Sequence, residues 1–325
     1  MSWTLAAVLA GVLLAWMVLE FRKGRADGVY IGTNPARRMM FYIMPTRTES
    51  QCFFDVWFDA TELMAYLEEA KPRFGANVTH AVVAAAEIGL ATNPRMNRFV
   101  AGKRLYQRKG RFVTFSMKRK VVGGGVDYKA RLATVKLETS KPRTFRDLCE
   151  EINASITVNR SGRKTYADKE FQLFDVLPRP LLSFFARALM RLDYYGLIPG
   201  SFIANDPLYT SMFVANLGSI GMDSTFHHLF EYGTCHIFLA IGRVKEHVEL
   251  RDGVPVAVPR IHLRYTYDER ADDGINCRHG FTAMTRVLED PRRWLGCLAE
   301  DGSDARPFWP REDWGSEDGT YACRE

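Results

Sequence analysis

The residues with the most chemistry to offer lie in Tyr267-Asp268-Glu269-Arg270-Ala271-Asp272-Asp273-Gly274. Glu269 is a carboxylate that could act as base or acid, or hold a ligand or the loop itself. An ordinary Glu titrates about two units below His, so Glu269 is a poor base near neutral pH unless burial raises it. Its neighbours set its position. Arg260 to Tyr267 alternates bulky and polar residues in the period of a strand, and Ile275 to Leu288 places apolar residues at helical spacing, closed by Glu289-Asp290-Pro291. The stretch is therefore a strand-to-helix turn.

Other groups compete for attention. Phe213-Val214-Ala215-Asn216-Leu217-Gly218-Ser219-Ile220-Gly221 carries Asn216 into a turn, and His227-His228 follows in the loop before a strand from His236 to Ile241. His227 or His228 is a candidate base, with surface packing as the alternative. His262 falls an odd number of residues before Glu269, so in an ideal strand the two face opposite sides. His279 lies on the following helix, toward solvent or an interface. Gly123-Gly124-Gly125 lacks the Lys-Ser/Thr ending of a phosphate loop and reads as a bend between strands.

The turn and the Asn216 segment together resemble the catalytic domain of the 2-oxo acid dehydrogenase dihydrolipoamide acyltransferases, within the chloramphenicol acetyltransferase-like superfamily. That family's signature runs Asp-His-Arg-x-x-Asp-Gly and then a helix ending near Leu-Glu-Asp-Pro. This chain matches at Asp268, Arg270, Asp273, Gly274, Leu288, Glu289, Asp290 and Pro291, with Glu269 in the histidine's place. The Asn216 segment is similar to the family's Thr-Ile-Ser-Asn-Leu-Gly, with Ala215 where the oxyanion-binding serine stands. Phe53 to Leu63 resembles the early strand and the start of the first helix, and a helix from near Val78 ends at Asn93-Pro94-Arg95-Met96-Asn97. The resemblance spans roughly residues 40 to 300.

The resemblance implies an α/β fold, a two-layer sandwich of a mixed sheet backed by helices. It also implies a homotrimer with active sites between subunits, entered by coenzyme A from one side and the acyl acceptor from the other. In the family the histidine takes a thiol proton and a hydroxyl stabilises the oxyanion. A general base contributes roughly 10²–10⁴-fold and an oxyanion donor roughly 10²–10³-fold, and such losses are not additive. Three readings of Glu269 stay open: catalysis lost and the side chain structural or ligand-binding, acyl transfer retained with another base, or different chemistry on the same scaffold. Asp273 organises the loop in the family. Ligands consistent with the resemblance are acyl-CoA, an acyl carrier or a lipid. The rival to a binding or assembly role is a diverged active acyltransferase, and a third option is a membrane-tethered scaffold. The doubled His227-His228 is similar to that of nonribosomal peptide condensation domains, but Tyr232 replaces their aspartate before Gly233. The chain has no lipoyl-bearing domain, so no lipoyl group is expected, nor a place in a dehydrogenase complex.

Trp3 to Leu19 is an unbroken apolar run, spanning about 26 Å at ~1.5 Å per residue, and Phe21 with snorkelling basic side chains covers the deficit against a ~30 Å core. No Lys or Arg precedes it, which favours an uncleaved anchor over a signal peptide. Arg22, Lys23, Arg25, Arg37 and Arg38 follow, and the positive-inside rule puts the globular domain in the cytoplasm. The six cysteines lack disulfide or metal-ligand spacing, so no metal is expected. The net charge is +6 over 325 residues, but the basic residues form no recognisable nucleic-acid-binding module, so no nucleic acid is expected. The densest basic cluster, Arg104 to Lys120, reads as an exposed hairpin or as a site for anionic headgroups or coenzyme A phosphates. The expected organisation is an anchor at 3–21, a basic linker at 22–40, an acyltransferase-like domain at 41–300 with an insertion at 164–207, and an acidic tail at 301–325. Within the insertion, Pro180 and Gly196 bracket a helix from Leu181 to Tyr195 that could be a lid, an interface or a bilayer-surface helix.

Overall fold

The computed structural model describes residues 3–118, 132–141, 143–160, 177–296 and 298. The apolar run forms helix α1 (Trp3–Phe21), which has no buried residue and is long and apolar enough to cross a membrane. The next segment, expected as a linker, is folded: β1 (Gly28–Ile31) pairs with the main domain, and α2 (Pro35–Ile43) follows. The reason is electrostatic. Arg25, read as a positive-inside charge, is buried and binds Asp27 at 2.9 Å and Asp193 at 2.8 Å, while Arg108 lies 3.9 Å from Asp27. Burial would push the Asp27 carboxyl up, but Arg25 and Arg108 override it and hold it below the usual range.

The domain continues through β2 (Gln51–Asp59), α3 (Thr61–Phe74), α4 (Val78–Thr92), β3 (Arg98–Ala101), β4 (Arg104–Arg108), β5 (Phe112–Lys118), β6 (Leu132–Glu138) and α5 (Phe145–Arg160). Beyond these come α6 (Arg179–Tyr194), α7 (Gly200–Asn205), β7 (Met212–Asn216), β8 (Ile237–Ile241), β9 (Lys245–Arg251), β10 (Val254–Asp268), α8 (Gly274–Glu289) and α9 (Pro291–Leu295). Helix α6 reproduces the expected Leu181–Tyr195 helix. Residues 164–176 of the expected insertion, the triple glycine and the tail from 301 lie outside the described residues.

The main sheet has the order β2-β10-β8-β7-β5-β6, with β9 added to the first half of β10. Pairing is antiparallel except at β5–β7 and β7–β8. A small sheet, β1-β4-β3, sits beside it. Over the described part of the basic cluster, residues 104–118, the chain forms no single hairpin, because β4 and β5 lie in different sheets. Nor is this cluster a solvated face throughout: Tyr106 and Arg108 are buried, and Arg108 donates to the Thr234 carbonyl at 2.7 Å.

One face of the main sheet carries the core. Leu263 and Tyr265 of β10, with Val214 and Leu239, pack against α4 and α8. Ala81 to Leu90 of α4 are all buried, which its run of alanines permits at close range. Helices α4 and α8 meet at Gly89 and Gly280: a Cβ on Gly89 would lie 2.7 Å from Met284 Cγ, and one on Gly280 would strike Met96. The other face holds Phe213 and Phe238 under the loop that carries Leu229 and Phe230.

Removing one partner of the buried charge cluster strands the others. Arg25→Ala is expected to cost about 3–5 kcal/mol, read as a lowered thermal unfolding midpoint. An unchanged midpoint would show that the cluster does not hold β1 to α6.

Candidate active site

Strand β10 ends at Asp268, and the turn after it is built from charge pairs. Arg270 folds back on Asp268 with two short contacts, 2.9 and 2.8 Å, and donates to the Met44 carbonyl at 2.8 Å. Ser50 adds a hydrogen bond to Asp268 at 2.9 Å. Both members of this pair are buried, so they serve the turn rather than a ligand. Asp273 caps α8, accepting from the Asn276 amide at 3.0 Å and its side chain at 2.7 Å. Those bonds, chiefly the backbone one, hold the Asp273 carboxyl below the usual range.

Glu269 is left partly exposed between these locked residues. Its amide donates to the Ser50 carbonyl at 3.0 Å, and its own carbonyl accepts from Arg37 at 2.6 Å. Its carboxylate accepts a hydrogen bond from the Cys52 thiol at 2.6 Å. Cys52 faces Tyr267 across the β2–β10 ladder, so thiol, phenol and carboxylate share the helix side of the sheet. Burial and then Glu269 push the Cys52 thiol up to about 11, which keeps it protonated and a weak nucleophile.

The other candidates lie elsewhere. Asn216 bonds Thr79 of α4 at 2.9 Å and caps the turn at Ser219, so its amide is engaged structurally. Asn216 pairs level with Ile241, and Ile241 with Leu263. Because β10 runs against β7 and β8, Glu269 lies six residues beyond that level, roughly 20 Å away at ~3.3 Å per residue. Ala215 and Asn216 therefore stand at the opposite end of the sheet from Glu269 in the same chain.

His227 stacks on Phe238 at 4.0 Å, and its Nδ1 contacts the His228 carbonyl at 2.7 Å. Burial lowers its pKa. Phe238 is on the sheet face away from the helices, so the His227-His228 loop is separated from the Glu269 carboxylate by the sheet itself. His228 is exposed and cannot serve as base for Glu269's side of the same copy. His262 stacks on Trp57 at 4.1 Å and contacts Asp55 at 2.9 Å, and His279 is exposed.

Three arginines that the motif did not single out converge on the turn. Arg95 binds Asp272 at 2.8 Å and lies 3.6 Å from Asp273, and Arg37 lies 3.9 Å from Asp273. Arg98 is held below its usual pKa by burial and by the charges of Arg95 and Arg37, a sign of local positive crowding. The only sequence hint was that Arg95 sits in the helix exit. Among the described residues, no group of three or more His, Cys, Asp or Glu could hold a metal ion.

A mixed sheet with helices on one face, and a strand-to-helix turn closing the site, define the two-layer chloramphenicol-acetyltransferase-like fold. Solved structures that share it include acyltransferase cores. A probable dihydrolipoamide acetyltransferase from Listeria monocytogenes matches 83% of this chain and 96% of its own, at TM-score 0.53 and 14% identity. The cubic core of the pyruvate dehydrogenase multienzyme complex matches 81% and 93%, at 0.52 and 14%. The dihydrolipoamide acetyltransferase of Azotobacter vinelandii, probed for catalytic roles of a serine, a histidine and an asparagine, matches 81% and 93%, at 0.52 and 15%. No protein-family model matches the chain, and no curated protein matches its sequence.

Two substitutions separate the roles at the turn. Glu269→Gln removes the negative charge beside Cys52, so alkylation of Cys52 by iodoacetamide, followed by mass spectrometry, is expected to speed up at least about threefold. Asp273→Ala is expected to cost ~1 kcal/mol of stability at neutral pH as a lost cap. That difference is present above the unfolded carboxyl pKa of ~3.8 and is lost as pH falls through the depressed folded value.

Proposed function

We propose that this protein is a membrane-anchored, acyl-thioester-binding member of the acyltransferase-like fold, in which the usual His-dependent transfer from coenzyme A has given way to binding. The observation that carries this reading is the Cys52–Glu269 contact at the turn. The carboxylate there is engaged by a thiol held protonated, and among the described residues its hydrogen-bond partner is that thiol rather than a histidine. Ala215 removes the hydroxyl that the family uses for the oxyanion. The turn still presents the positive charge of Arg37, Arg95 and Arg98, which suits the phosphates of coenzyme A or an acyl carrier.

The separation of Ala215 from Glu269 supports an oligomer. Residues at opposite ends of one sheet meet only when one copy's Asn216 end is placed against the next copy's Glu269 end. Such a head-to-tail contact forms a ring where its rotation closes, and the homotrimer is the ring that the resemblance implies. Helix α1 would anchor each copy by one pass, with the domain on the cytoplasmic side.

The full chain in detergent should bind acetyl- or palmitoyl-coenzyme A by calorimetry and release no thiol above background. Arg95→Ala should weaken binding on the order of fivefold at low salt and less at high salt. Turnover would show a site rebuilt around another base, and the absence of binding would remove the thioester from the account.

A further inference from the structure

Helix α6 displays two apolar faces, and the core covers only one. Leu182 and Leu189 turn inward, where Leu189 packs against Ile198, Ile203 and Tyr209. Leu181, Phe184, Phe185 and Leu192, spaced at i, i+3, i+4 and i+11, form a separate stripe in solvent, with Phe184 64% exposed. Arg187 and Arg191 border that stripe. The one acidic residue of the helix, Asp193, is occupied by Arg25 at 2.8 Å. The exposed side is thus apolar with a wholly basic rim.

The place of α6 in the fold gives that stripe an occupant. Arg25, four residues after α1 ends, holds the C-terminal end of α6 through both the side chain and the carbonyl of Asp193. Tyr195 reaches Glu20 of α1 at 3.5 Å, and Arg104, beside the Gly102–Tyr194 contact, bonds the Glu20 carbonyl. Around this exit stand four tyrosines, each under a basic side chain. Lys23 lies 4.8 Å over Tyr30, Lys103 4.4 Å over Tyr42, and Arg191 5.4 Å over both Tyr194 and Tyr195. Tyrosines with lysine and arginine partners at the end of an apolar span are the composition of a membrane–water interface. Met39, Tyr42 and Ile43 of α2 are exposed as well, with Tyr42 under Lys103 at this exit.

We infer that α6, with the exposed side of α2, lies in the headgroup layer of the bilayer crossed by α1, its phenylalanines entering the acyl boundary and its arginines meeting anionic headgroups. This rests on the reading of α1 as a membrane anchor. It places the domain flat on the membrane rather than on a free stalk.

Photo-crosslinking of the full chain tests it, with benzoylphenylalanine in place of Phe184 and, in parallel chains, of Val12 in α1 and Val248 in the β9–β10 hairpin. The chains are reconstituted in phosphatidylcholine vesicles containing phosphatidylserine. Lipid adducts at 184 are expected within about threefold of those at 12 and at least about fivefold above those at 248. Arg187→Gln with Arg191→Gln should reduce the adducts at 184 about threefold. Adducts between two protein chains at 184 would give the stripe to a second copy and overturn the inference, as would adducts no higher than at 248. Loss of lipid adducts at 12 would instead overturn the anchor reading.

Discussion

Strand β10 is the member on which the other parts depend. Its first half carries β9, its second half is paired on both sides by β2 and β8, and its end delivers the charged turn. Ile261, Leu263 and Tyr265 along it are fully buried against the helices, the two aliphatic side chains each contributing roughly 1.5–3 kcal/mol of transfer free energy. Shifting its register by one residue would turn those side chains outward and Arg264 inward. The antiparallel sense of β10 against β8 has a second effect. It sends Glu269 to one end of the sheet and Asn216 to the other, so within one copy the two halves of the expected site stand apart.

The turn itself divides its charges by burial. Asp268 and Arg270 neutralise each other inside, Asp273, though partly exposed, is used by the helix it starts, and Glu269 keeps a partly exposed carboxylate bonded to Cys52. A histidine at that point would present a base of near-neutral pKa. A carboxylate bonded to a protonated thiol presents a stable acceptor with a basic rim. The turn thus positions a carboxylate and a thiol where an imidazole was expected.

The local parts of this arrangement were legible in the chain. The strand before Asp268, the helix after Gly274, the turn at Asn216-Leu217-Gly218 and helix α6 all follow from short-range periodicity and capping residues. What was not legible depends on contacts between distant residues. Arg25 looked like a membrane-flanking charge, and only its meeting with Asp193 of α6 makes it a buried strut. Arg104 to Lys120 looked like one hairpin because nothing local reveals that β4 and β5 enter different sheets. His228 looked available because a loop's length does not say which face of the sheet it covers. Arg37 and Arg98 carried no motif, and their approach to the turn comes from the packing of α2 and β3 beside it.

Fold and site lead to one claim, that a thioester site exists only where the Glu269 end of one copy meets the Ala215–Asn216 end of another. An electron cryomicroscopy reconstruction of the full chain in lipid nanodiscs with an acyl-coenzyme A added tests this directly. The account predicts a closed ring with ligand density between Ala215 of one copy and Glu269 of the next, its phosphates beside Arg95 and Arg98. A monomer, or a ring whose contacts leave the Glu269 turn facing solvent, would contradict it.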